Sequence, residues 1–165
     1  MPIRIETRPL TSGAFAPFGD VLECDGSPDK IINQGMCGRY HDRADLQLSD
    51  GDAGRIGVSL FDAEPRSLPF KLDMVERHPL GSQCIVPMTE HPFLVIVARD
   101  ENAEPAEPIA FLTSGSQAIN FYANVWHGVL TPLAAPGLFA VIDRIGEGYN
   151  LEEFWFDQPF EIISA

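Results

Sequence analysis

The most constraining feature of this sequence is the way turn residues cut it into short apolar runs. Fourteen glycines and fourteen prolines are spread over 165 residues. Between them lie runs of strand length that are rich in Val, Ile and Phe: RIGVSLF, QCIVPM, FLVIVAR, IAFLT, AINFY, LFAVIDRI and FEIIS. A fold that alternates strands and helices would show helical periodicity between such runs, and little is present. The pattern therefore predicts an all-β fold, either a sandwich or a barrel.

Two segments depart from this pattern and predict short helices. TSGAFAPFGD can begin a helix with Thr11 or Ser12 as its N-cap, and NLEEFWF can form a second helix. The polar stretches 42–54 and 99–108 are typical of exposed loops. Because no repeat or linker divides the chain, we expect a single domain over residues 1–165.

Charge and composition narrow the classes of partner. Eleven basic and twenty-four acidic side chains give a net charge of -13, which is the wrong sign for binding nucleic acid or an anionic membrane. No window approaches the roughly 18 apolar residues of a membrane span, so we expect a soluble, cytoplasmic protein. Cys24, Cys37 and Cys84 show no CxxC spacing, which favours buried free thiols over disulfides or a thiolate zinc site.

The segment ERHPLGSQ concentrates residues that carry acid–base chemistry. Alternation along an extended strand puts Glu76 and His78 on one face and Arg77 on the other. About fifty residues later, the segment GSQAINFYANVWHGV carries His127 after a bend at Asn124. Two strands of one barrel can bring both histidines into the same cavity, where a carboxylate beside an imidazole suits proton transfer.

Each of these residues also has a purely structural interpretation. Glu76 and Arg77 can form a solvated surface pair that contributes little. His78 can hydrogen-bond the backbone of a turn, and His127 can be a satisfied core histidine. For either histidine alone the structural interpretation is favoured, whereas two histidines on opposed strands favour a site.

The order of these motifs resembles that of a cupin barrel, and more specifically that of the ureidoglycolate lyase family. The phrases INQGMCGRYHDRA, ERHPLGSQ, NVWH and DR occur here in the order that is found in the family. Against the generic cupin pattern, Glu76 replaces a histidine and Gln83 replaces a carboxylate. The resemblance implies a cupin-like β-barrel, a double-stranded β-helix or jelly roll, that forms a homodimer. It also implies cleavage of (S)-ureidoglycolate into glyoxylate and urea.

The implied substrate carries a hydroxyl, a carboxylate and a ureido nitrogen on one carbon. Its cleavage requires a base for the hydroxyl proton, an acid for the departing nitrogen and a clamp on the carboxylate. The candidate catalytic residues are Glu76, His78, Gln83, Tyr122 and His127. The candidate substrate-binding residues are Arg39, His41, Asn120, Asn124 and Arg144.

Several of these assignments leave alternatives open. The guanidinium groups of Arg39 and Arg144 suit bidentate binding of a carboxylate. His41 can cover the cavity, reach a dimer partner or be merely exposed. Asp143 can be no more than the ion-pair partner of Arg144.

The residues alone do not decide whether a metal takes part. The family is associated with nickel, and Glu76, His78, Gln83 and His127 would be the ligands of Ni²⁺ or another divalent ion. Without a metal, the same residues would act as acid, base and hydrogen-bond donors. No organic cofactor is required.

Two other functions compete with the lyase hypothesis. An amidohydrolase would release ammonia from the same substrate and would need an activated water. A non-catalytic cupin would only bind a small organic acid.

Overall fold

The computed structural model describes residues 1–165 and is almost entirely β-structure. It has a single helix, α1 (Ser12–Phe15). The strands, in chain order, are β1 (Ile3–Glu6), β2 (Arg8–Pro9), β3 (Gly19–Leu22), β4 (Lys30–Ile32), β5 (Cys37–Arg39), β6 (Arg55–Asp62), β7 (Phe70–Arg77), β8 (Gln83–Pro87), β9 (Phe93–Ala98), β10 (Asp100–Glu101), β11 (Glu104–Pro105), β12 (Ile109–Leu112), β13 (Ala118–Phe121), β14 (Trp126–His127), β15 (Thr131–Pro132), β16 (Leu138–Ile145) and β17 (Glu152–Ile163). Every apolar run named above lies on a strand, so the all-β prediction is confirmed.

Two sheets form the body of the fold. The large sheet has eight strands in the order β1-β17-β7-β14-β9-β12-β2, with β15 also paired to β9. The small sheet has the order β3-β13-β8-β16-β6, and the pairs β4–β5 and β10–β11 stand apart from both sheets. The two sheets enclose a common apolar core and together approach a closed barrel, as the sequence predicted.

Strand β9 explains why one run of the sequence is apolar without interruption. Phe93, Val95 and Val97 belong to the core between the two sheets, which we call the inter-sheet core. Leu94 and Ile96 belong to a second core that is built only from strands of the large sheet. Because β9 is buried on both faces, it lacks the polar alternation of a strand with one solvated face.

One of the two predicted helices is confirmed and the other is wrong. Thr11 caps α1, since its Oγ1 accepts a hydrogen bond of 3.2 Å from the backbone N–H of Ala14. NLEEFWF is extended and begins β17 instead. Phe154 and Phe156 pack against the second core, while the intervening Trp155 is exposed, so this segment has the period of a strand.

The predicted loops and thiols are largely as expected. Residues 42–54 contain no strand beyond an isolated bridge between Leu48 and Gly81, whereas 99–108 contains the small β10–β11 hairpin. All three cysteines are free, but only Cys84 is buried. None of the helical structure is long or apolar enough to span a membrane.

Strand β3 approaches β13 so closely that Gly19 has no room for a side chain. A Cβ added at Gly19 would lie 1.8 Å from the carbonyl oxygen of Asn120. We therefore expect Gly19→Ala to lower the free energy of unfolding by about 3 kcal/mol, measured by chemical denaturation. Gly13→Ala is the matched control, because nothing lies within 4 Å of a Cβ added in α1. Equal stability of the two variants would contradict this account.

Candidate active site and metal centre

Glu76, His78 and His127, which we call the triad, converge at one end of β7. Glu76 is the penultimate residue of β7, His78 follows the strand, and His127 ends β14. Antiparallel pairing sets His127 directly opposite Glu76. One potential ligand atom from each of the three side chains lies within 4.8 Å of the others. The structure thus brings together both histidines and the carboxylate that the sequence singled out.

Backbone carbonyls fix the orientation of both imidazoles. His78 Nδ1 lies 2.8 Å from the carbonyl oxygen of Asn150, and His127 Nδ1 lies 2.9 Å from that of Gly128. Because a carbonyl oxygen only accepts, each neutral ring carries its proton on Nδ1 and a lone pair on Nε2. Both Nε2 atoms are buried and have no hydrogen-bond partner. Histidines that ligate metals are held in this way, so the triad fits a divalent cation.

Burial also sets the charge of the triad. It lowers the pKa of His127 to about 3, and the nearby His78 acts in the same direction. His127 is therefore neutral, as a metal ligand must be. Burial raises the pKa of Glu76, an effect that the charge of His78 opposes and that of Glu153 reinforces. His78 Nε2 lies 3.9 Å from Glu76 Oε1, beyond hydrogen-bond distance.

An aromatic stack joins the triad to the opposite sheet. The ring of Phe121 on β13 lies parallel to that of His127, with 4.3 Å between centroids and 6° between planes. Phe121 belongs to the inter-sheet core, so His127 points into the barrel. Since Glu76 pairs with His127, its side chain leaves the large sheet on the same face.

Gln83 lies beside Phe121 and faces the same interior. It pairs with Phe121 on one side and with Asp143 on the other. Ile85 and Val141, two residues from Gln83 and Asp143 respectively, belong to the inter-sheet core, so alternation points all four inward. Gln83 Nε2 donates a hydrogen bond of 3.2 Å to Asp143 Oδ2. The sequence suggested only an ion pair with Arg144 for Asp143, whereas its position two residues after Val141 in β16 turns it inward.

Asn120 and Tyr122 meet at a different carboxylate. Asn120 alternates with Phe121 and so faces away from His127. Its Nδ2 donates to Asp20 Oδ2 at 3.1 Å, and the Tyr122 hydroxyl donates to Asp20 Oδ1 at 2.7 Å. The bond to Asp20 raises the pKa of Tyr122 to about 12. Sequence reasoning had no means of knowing which face of β13 would point toward the histidines of the triad.

The two candidate arginines have different surroundings. Arg144 Nε binds Asp52 at 2.9 Å, and its other nitrogens donate to the carbonyls of Gly146 and Glu147. Asp52, rather than Asp143, is therefore its ion-pair partner. Arg39, at the end of the exposed β5, makes no ion pair or hydrogen bond through its guanidinium.

Asn124 and His41 contribute to the molecule in different ways. Asn124 adopts a left-handed conformation with φ of 67°, which produces the predicted bend before β14. Its backbone N–H donates to the carbonyl of His78 at 2.8 Å, so the bend contacts the triad directly. His41 is exposed, and its backbone N–H is bound by Asp29.

Arg77 organises the opposite face of the strands that carry the triad. Its side chain is 10% exposed and binds Glu152 and Asp100, with 2.8 Å from Nη1 to Asp100 Oδ1. The same Asp100 oxygen accepts from Trp126 Nε1 at 2.9 Å, and the guanidinium lies 4.2 Å from the Trp126 ring. Because Trp126 directly precedes His127, these contacts tie β7 to β14 behind the triad.

Comparison with known proteins agrees with the motifs and the fold. Residues 2–163 match the family model described as ureidoglycolate lyase. The chain is 55% identical to a ureidoglycolate lyase of Rhodobacter capsulatus, covering 94% of this chain and 96% of the relative. It is 52% identical to ureidoglycolate lyase 2 of Rhizobium meliloti over 99% of both chains. A ureidoglycolate lyase of Chelativorans sp. is 49% identical over 96% of both.

Replacement of Arg77 tests whether its contacts with Glu152, Asp100 and Trp126 stabilise the pairing of β7 with β14. Arg77→Leu removes two ion pairs and a cation–π contact, and we expect it to lower the free energy of unfolding by about 2 kcal/mol. Arg77→Lys keeps the charge but not the planar fork and should lose about half as much. Arg4→Leu, which breaks only the exposed pair with Glu161, should change the stability by less than about 0.5 kcal/mol. If the two leucine variants are equally stable in denaturant titrations, the network contributes nothing.

Proposed function

Because the chain belongs to the ureidoglycolate lyase family, we propose that it cleaves ureidoglycolate into glyoxylate and urea at the triad. One observation supports placing the reaction at the triad. The Nε2 atoms of His78 and His127 are buried and have no hydrogen-bond partner within the chain. Buried polar atoms without a partner are costly unless a ligand satisfies them. The carboxylate of Glu76 completes a set of three converging donors.

The reaction breaks one C–N bond and moves one proton. The hydroxyl of the carbinol carbon loses its proton and becomes the aldehyde oxygen of glyoxylate. The electron pair of the C–N bond passes to nitrogen, which gains a proton, so urea leaves as a neutral molecule. No oxidant, water or organic cofactor is consumed. The protein therefore has to bind and orient a small anion and to handle a single proton.

We assign a divalent cation to the triad. Two imidazole nitrogens and one carboxylate suit a first-row metal such as Ni²⁺. When bound there, the ion would supply Lewis acidity toward the hydroxyl and carboxylate oxygens of the substrate. The chain's contribution is to hold both Nδ1 protons on the carbonyls of Asn150 and Gly128, which keeps both Nε2 lone pairs aimed at the same point.

The remaining candidates take supporting roles in this proposal. Arg39 is free to bind the substrate carboxylate, since no acid within the chain occupies it. Arg144 would first have to leave Asp52, and we assign it to holding the loop around Gly146. Asn120 and Tyr122 would act through Asp20, and Asn124 through its contact with His78.

Product analysis before and after chelation tests this function. We expect the purified protein to release urea and glyoxylate from racemic ureidoglycolate above the uncatalysed background. A chelator should abolish this release and Ni²⁺ or Mn²⁺ should restore it. His127→Ala should lose at least 100-fold in rate and fail to retain the metal, because it removes a ligand from the site. His91→Ala is the matched control, since His91 lies outside the triad.

Each other outcome points to a different conclusion. Full activity after chelation would make the triad an acid–base site without metal. Ammonia in place of urea would identify an amidohydrolase, and no release above background would leave a barrel that only binds a small acid.

We also propose that the protein forms a homodimer through the outer face of its small sheet. Val58 and Leu60 on β6 are 68% and 71% exposed, and Met88 after β8 is 56% exposed. Ile142 and Ala140 pair with Val58 and Leu60 on the same face. The second edge of β6 has no partner strand. An apolar face beside an open edge is a surface that a second copy can bury with two-fold symmetry.

A charge placed on this face should separate the two copies. We expect wild-type protein to elute with the mass of a dimer in light scattering, and Leu60→Lys to elute as a monomer. Ile3→Lys introduces the same charge at an exposed apolar residue of the large sheet and should leave the dimer intact. A monomeric wild type, or a dimeric Leu60→Lys, would exclude this interface.

A further inference from the structure

We infer that Asp143, oriented by Gln83, binds the ureido group of the substrate on the side of the cavity opposite the triad. This inference rests on the proposed function and gives a role to Asp143, which lies in the DR motif but outside the triad. It assigns to Asp143 the selection of a ureido substrate over other small α-substituted acids.

The sheet registers place Asp143 in a row that faces the triad. Phe121, Gln83 and Asp143 pair side by side across β13, β8 and β16. All three point into the barrel, as do Ile85 and Val141 beside them. The Phe121 ring stacks on His127 at 4.3 Å, so this row meets the row of His127 and Glu76 at that stack.

Chain connectivity fixes which side of the stack Gln83 and Asp143 occupy. Only the four residues 79–82 separate His78 from Gln83, so the end of β7 and the start of β8 lie at the same end of the barrel. Asn150 holds the turn in place there. Its backbone carbonyl accepts from His78 Nδ1 at 2.8 Å, and its side-chain Oδ1 accepts from the Leu80 N–H at 2.8 Å. Gln83 and its neighbour Asp143 therefore lie at the same end of the barrel as Glu76 and His78.

Asp143 has an orientation suited to a ligand rather than to the chain. Its Oδ2 accepts from Gln83 at 3.2 Å, and no other hydrogen bond or ion pair engages its carboxylate. The adjacent Arg144 is already bound to Asp52. Asp143 is half-buried and is not a member of the cluster that could hold a metal. A second carboxylate at this cavity thus remains available as an acceptor.

The ureido group is the part of the substrate that needs such an acceptor. Both of its nitrogens carry N–H donors, whereas the carboxylate and hydroxyl of the substrate are the atoms suited to a cation at the triad. A carboxylate accepts two parallel N–H bonds from one planar group, as it does from an arginine. Bound in this way, the substrate spans the cavity with its C–N bond between Asp143 and the triad.

Two stable analogues of the substrate distinguish binding of the ureido group by Asp143 from binding of the carboxylate at the triad. Oxalurate keeps the carboxylate and the ureido group but has an amide carbonyl at the reacting carbon, and oxamate lacks the terminal carbamoyl group. We expect isothermal titration to show that nickel-loaded wild type prefers oxalurate. Asp143→Asn should weaken oxalurate about 10- to 100-fold while leaving oxamate unchanged, since the lost bonds are to a charged acceptor. Asp157→Asn, at an exposed position of β17, is the control.

Gln83→Met provides a second variant in which the carboxylate is kept but its orienting donor is lost. We expect a smaller, several-fold loss that is again confined to oxalurate. Nickel content, measured by mass spectrometry, should equal that of wild type in both variants. Unaltered preference for oxalurate in Asp143→Asn would overturn the inference, and so would loss of nickel together with equal weakening of both analogues. Failure of the lyase proposal is recognised separately, because wild-type protein would then release no urea.

Discussion

The site depends on the pairing of His127 with Glu76. That single register position sets an imidazole from β14 beside a carboxylate from β7, on the face that points into the barrel. A shift of β14 by one residue would turn His127 toward the opposite face and put Trp126 beside Glu76. The stack of Phe121 on His127 and the network of Arg77 with Asp100 act on the two faces of this pairing, and both resist such a shift.

The two faces of the strands that carry the triad perform different tasks. On the outer face, Asp100 accepts from both Arg77 and Trp126, so the guanidinium and the indole N–H are bound within the chain. On the inner face, the Nε2 atoms of His78 and His127 are buried without a hydrogen-bond partner. Proteins tolerate unsatisfied groups of this kind where function requires them, and stabilise the surroundings to compensate. Alternation along a strand allows the two environments to lie one residue apart.

The sequence predicted most of the strands, because strand-length apolar runs between glycines and prolines have few other ways to bury their side chains. It also predicted α1 from the cap at Thr11 and placed Glu76, His78 and His127 in one cavity. It failed where a distant partner decides. NLEEFWF became a strand because β7 was available to pair with it, and Arg144 found Asp52 across 92 residues of chain. The spacing of residues along the chain does not reveal such partners. It does not reveal Asp20 either, which accepts hydrogen bonds from Asn120 and Tyr122.

The parallel pairing of β1 with β17 has a consequence for synthesis of the chain. Ile3 lies opposite Phe160, and β1 has no other neighbour in its sheet. During translation β1 therefore stays unpaired until β17 has been synthesised, after almost the whole sequence has emerged from the ribosome. Folds in which early segments must wait for late ones form slowly and expose surfaces that aggregate. The charged residues Arg4 and Glu6 in β1 are a feature that discourages such association until β17 arrives.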